Sequence, residues 1–122
     1  MNDPTPPEVL TLQSVTIIRL GEDCAHFFEN MLEKLSFAPQ LAHSVTPPRL
    51  VIDLQHVQYI GSAFLGFMMI LYKTITARES GRFGLCGLNA LCLAAVTVSK
   101  LQTRFEIFDT VDDAVQAFSA DL

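Results

Sequence analysis

The chain has 122 residues, half of them hydrophobic, with thirteen acidic and eight basic side chains and a formal charge of −5. That length and apolar content suit one domain with a sizeable core. The Lys and Arg residues run from Arg19 to Arg104 without a cluster in sequence, which argues against binding to a nucleic-acid backbone. The longest apolar stretch, Ala63 to Tyr72, is too short to span a bilayer, and the proline-rich start from Met1 to Glu8 has neither the basic nor the apolar region of a secretory signal. A soluble cytoplasmic protein, with no direct membrane insertion and no direct nucleic-acid contact, is expected.

Residues 1–8 read as a flexible tail and residues 9–122 as the folded domain. The segment from Val9 to Leu20 carries β-branched residues at Val15, Thr16, Ile17 and Ile18, and with Ser14 as a turn this predicts a β-hairpin. Glu22 and Asp23 suit a helix N-terminus, and Phe27, Phe28, Met31, Leu32 and Leu35 follow at helical spacing, so a helix is expected up to Pro39. Residues 38–48, with Pro39, Pro47 and Pro48, read as a connecting loop.

The apolar run from Arg49 to Leu54 predicts a strand buried on both faces, and Ser62 to Ser80 the longest helix, ended by Gly81. A strand from Arg82 to Leu88, a helix from Asn89 to Leu101, a strand from Phe105 to Phe108 and a helix from Val111 to Phe118 complete the alternation. The fold class is therefore α/β. Crossover helices impose parallel pairing beside an antiparallel hairpin, so a single domain with a mixed β-sheet and amphipathic helices packed mainly on one face is expected.

Signals for catalysis or metal binding are missing from the sequence. His26, His43 and His56 have no companion at ligand spacing, and Cys24, Cys86 and Cys92 form no Cys-x-x-Cys pair, so core thiols are the better reading. No phosphate-cradling glycine loop and no Gly-x-Ser-x-Gly elbow occur. The expectation is a protein that is not an enzyme and uses no metal or cofactor. Asp53, at the end of the central strand, fits either a carboxylate facing a cleft or a cap on a neighbouring loop.

The junction Tyr59-Ile60-Gly61-Ser62-Ala63-Phe64-Leu65-Gly66-Phe67 carries the most information, because it places a serine at the start of a long apolar helix. Serine is a preferred N-cap, and Gly61 supplies a turn before it. A hydroxyl at that position is also well placed for phosphorylation, since free N–H groups and the positive end of the helix dipole favour negative charge there. Around the helix, Phe64, Leu65, Met68, Tyr72 and Ile75 gather on one side, while Phe67, Ile70 and Leu71 spread wider than one core face needs. Some apolar surface beside Ser62 is therefore expected to remain open for a protein partner.

Val51-Ile52-Asp53-Leu54, Tyr59-Ile60 and Gly61-Ser62-Ala63-Phe64-Leu65-Gly66 together resemble the STAS domain of bacterial anti-sigma factor antagonists. The stretches Gly81 to Leu88 and Phe105 to Ala114 look like that family's fourth strand and its closing strand and helix, so the likeness runs over roughly residues 10–118. Gly61 stands where the family usually has Asp, and Phe64 where it usually has Gly. The resemblance implies a STAS-like domain that binds a serine kinase acting as anti-sigma factor, released by phosphorylation of Ser62 and restored by a phosphatase. The docking residues it implies are Gly61, Ser62, Ala63, Phe64 and Phe67, with Asp53 and Asp23 as partner-facing carboxylates. The alternatives are an accessory subunit of a membrane transporter and a non-switching scaffold in a signalling assembly.

Overall fold

The computed structural model describes residues 7–20 and 34–120. Within them five strands form one sheet in the order β1 (Glu8–Leu12), β2 (Val15–Arg19), β3 (Arg49–Asp53), β4 (Arg82–Cys86) and β5 (Glu106–Phe108). β1 pairs antiparallel with β2, and every later pair is parallel. The mixed α/β sheet read from the sequence is the one observed. Gln13 and Ser14 both hold positive φ, 48° and 69°, so the hairpin closes through a two-residue turn whose twist matches the strands. Pairing of Glu8 with Arg19 starts the first strand one residue inside the stretch expected to be tail.

Four α-helices lie among the described residues: α1 (Ala38–Ser44), α2 (Ser62–Thr76), α3 (Ala90–Val98) and α4 (Val111–Ser119). α1 replaces the loop expected around Pro39. The proline occupies the first turn, where its missing N–H costs nothing, and Ala38 and Ala42, one helical turn apart, are buried against the core. The helix expected from Glu22 falls mostly on residues outside those described. α2 stops at Thr76, before the expected Ser80, and the chain turns through Ser80 at φ 63°.

Alternation along the strands divides the core between the two faces. Ile18, Leu20, Leu50, Ile52, Phe83 and Leu85 point to the side covered by α1, α2 and α3. Val15, Ile17, Val51 and Cys86 point to the side covered by α4 through Ala114, Val115 and Phe118. Burial on both faces explains why β3 is apolar throughout its centre. Gly84 permits the α4 packing, since a Cβ there would lie 3.0 Å from the Phe118 ring and 3.0 Å from the Glu106 carbonyl oxygen.

Candidate functional site

β3 ends at Asp53, and the chain then runs from Leu54 to Gly61 before entering α2. Two apolar anchors, Val57 and Ile60, hold this connection on the core. Its outer side is tied to the start of α3. Asn89 caps α3 by accepting the Cys92 N–H at 2.8 Å, and its side-chain amide donates to the Gln58 carbonyl at 3.0 Å. The Cys92 thiol lies 3.6 Å from the Val57 carbonyl oxygen that accepts from it. The junction and α3 are thus one tied unit, and Ser62 has a fixed neighbour.

Gly61, not Ser62, is the N-cap of α2: its carbonyl accepts the Leu65 N–H at 3.1 Å, and no side chain caps this end. Ser62 is the first helical residue and is exposed, as is Ala63. Since the first turn of α2 contains no acidic residue, nothing there opposes an added negative charge. Gly61 has φ −107° and ψ −176°, an extended conformation open to any residue, so no positive φ explains the glycine.

Phe64 is a correction to the expected docking set: it is 0% exposed, because its position one turn from Met68 places it on the sheet side of α2. Leu71 also belongs to that buried face, whereas Phe67 is half-buried and Ile70 exposed. Asp53 is 1% exposed; one oxygen accepts from Arg19 Nε at 3.1 Å and the other from the Gln55 N–H at 3.0 Å. It therefore fixes the turn after β3, and it lines a polar cavity with Asp109 and Asp112 that is separate from the Ser62 groove. Asp23 lies outside the described residues.

A groove of about 350 Å³ opens between the start of α2 and the outer side of α3, with Tyr59, Ser62, Leu65, Leu91, Ala94 and Val98 on its walls. Among the described residues, none that lines it is charged. Tyr59 is 57%, Leu91 64% and Val98 82% exposed, so this is an open apolar surface rather than a core void. α3 accounts for most of it. Cys92 and Val96 fill its inward side, and Leu91, Ala94 and Val98, at helical spacing, form a second apolar stripe facing out. The absence of any charged residue from Ala90 to Val98 is the sequence signal that α3 has two apolar faces.

Burial pushes the Cys86 thiol up to about 12, with the nearby Asp53 carboxylate adding to it, and burial also raises Cys92. Both thiols should resist alkylation in the native protein at pH 8 and react only after unfolding, as peptide mapping with iodoacetamide will show. The folded state holds the Cys86 proton more tightly than the unfolded chain, whose thiol titrates near 9.0. The resulting stabilisation is complete below that pH and is lost as pH rises from there towards 12.

A mixed five-stranded sheet with helices on both faces, a serine at the start of an apolar helix and an open groove beside it define the class of this α/β domain. The STAS domain family profile matches residues 7–114, and the chain belongs to that family. An anti-sigma-factor antagonist (STAS) domain protein from Planctomyces limnophilus superposes with a TM-score of 0.87 at 23% identity, covering 93% of this chain and 97% of that one. An anti-sigma factor antagonist from Mycobacterium paratuberculosis matches with a TM-score of 0.65 at 25% identity, covering 92% of each chain. No curated protein gives a significant sequence match. No helix among the described residues is long and apolar enough to cross a membrane.

Proposed function

We propose that this STAS domain is an anti-sigma factor antagonist that docks on a serine kinase acting as anti-sigma factor, and that phosphorylation of Ser62 ends the docking. The observation that carries the reading is an exposed serine at an uncapped helix start, on the wall of an apolar groove without charges. Gly61, Ser62, Ala63 and the outer edge of Phe67 form the contact, and Phe64 supports it from beneath. A phosphate brings nearly two negative charges. The free domain tolerates them, since the helix N-terminus favours negative charge by about 0.3–1 kcal/mol. A docked partner covering the groove would have to bury that charge with no cation on the groove's own described walls, and so dissociates.

The test is to isolate the tagged protein from its source cell, map its phosphosites, and repeat the modification with the co-isolated kinase. Ser62 should carry the phosphate, Ser62→Ala should bind but escape release, and Ser62→Asp should mimic release only in part. Phosphate on Ser14, Ser36 or Ser99 with Ser62 untouched would overturn the switch. Co-isolation of a permease without a kinase would favour the transporter role.

A further inference from the structure

The basic residues look scattered in the sequence, but the fold sorts them. Arg19 pairs with Asp53 and Arg82 with Glu106, while Arg49 and Arg78 donate to main-chain carbonyls at Phe118 and Ala42. Lys73, Lys100 and Arg104 differ: all are exposed, and none forms an ion pair with a described residue. The three meet around one cavity of about 420 Å³, where the end of α3 and the 3-10 turn at Leu101–Thr103 approach α2. Among the described residues, no acidic side chain lines it. In a chain of net charge −5 this is a local reversal of sign.

Ser99 lines both this cationic cavity and the apolar groove beside Ser62, so the two are ends of one surface. The outward stripe of Leu91, Ala94 and Val98 leads from one end towards the other. Apolar burial gives affinity without direction, whereas charges at one end fix orientation and reject partners of the wrong sign. Among the described residues, a second copy of this chain does not supply the complement. Its acidic helix start, Asp112 and Asp113 on α4, belongs to a helix whose apolar face is buried on the sheet.

We propose that this composite surface binds a helical segment of a partner protein that has an apolar stripe and Asp or Glu residues at one end, the stripe lying along Leu91 and Val98 and the carboxylates meeting Lys73, Lys100 and Arg104. This deepens, and rests on, the reading of the Ser62 junction as a docking site.

The test uses the full unmodified chain and two synthetic helical peptides that share a leucine face and end in either two glutamates or two lysines. Amide NMR titration should show shifts at Tyr59, Leu91, Val98, Lys100 and Arg104 with the acidic peptide, which should bind about tenfold more tightly than the basic one. Salt at about 0.5 M should erase that difference. The double variant Lys100→Glu with Arg104→Glu should reverse the preference without lowering the melting temperature, because both side chains are exposed. Val98→Ser should weaken both peptides. Equal binding of the two peptides, shifts confined to other faces, or a response to inorganic phosphate but to neither peptide would overturn the proposal. Peptide binding without any phosphorylation of Ser62 would sink the switch alone, and a working switch without peptide binding would sink this surface alone.

Discussion

Phe64→Ala should lower stability by about 3–5 kcal/mol, the range for an aromatic truncated in a closed core. Phe64 is 0% exposed and lies within the larger hydrophobic cluster, with α2 above it and the sheet below. Against a total of about 5–15 kcal/mol for a domain of ordinary stability, that loss leaves a small margin, and the melting temperature should fall by roughly 10–20 °C. Phe64→Leu fills most of the space and should cost less than about 1.5 kcal/mol. The pair separates support from contact. If Phe64 only supports the junction, the Leu variant should dock its partner and accept phosphate on Ser62 like the wild type, at temperatures where both are folded. Loss of docking by the Leu variant with little change in melting temperature would show that the ring itself touches the partner.

What the sequence reveals and what it hides follow from the range of the forces involved. The strand Arg49–Asp53 and the helix from Ser62 are legible because their apolar patterns are long and unbroken. The hairpin is legible in outline, but Gln13-Ser14 is not a usual pair for a turn with two positive φ angles, so its geometry is visible only in the structure. α1 is hidden by Pro39, which reads as a breaker unless one knows that the chain enters the helix at that point. Ser62 and Gly61 exchange roles because a glycine N-cap leaves no side-chain signal. The cationic cavity is the least legible feature. Lys73 and Arg104 are brought together only by the packing of α2 against the end of α3, a contact that no local spacing announces.

Gly61→Asp should make the free protein more stable and its complex weaker. At φ −107° and ψ −176° the position accepts a side chain without strain, and an added Cβ meets only the Tyr59 ring edge at 3.8 Å. Aspartate is a strong N-cap, so it should gain a few tenths of a kcal/mol over glycine from capping and about 0.3–1 kcal/mol from the helix dipole. Docking is affected in the opposite sense. Among its described residues the adjoining groove has no charged side chain to pair with the new carboxylate, and burying it unpaired under a partner should cost about 1–3 kcal/mol, or roughly 5- to 150-fold in affinity. The same carboxylate would take the N–H groups that a phosphate on Ser62 otherwise approaches, so the phosphorylated variant should lose the stability gain seen in the unmodified one. Thermal melting of both forms and titration of the partner with wild type and variant, each well below its melting temperature, give the two signs separately. Higher stability together with equal or tighter binding would show that the partner does not close over Gly61, and would move the docking site away from the start of α2.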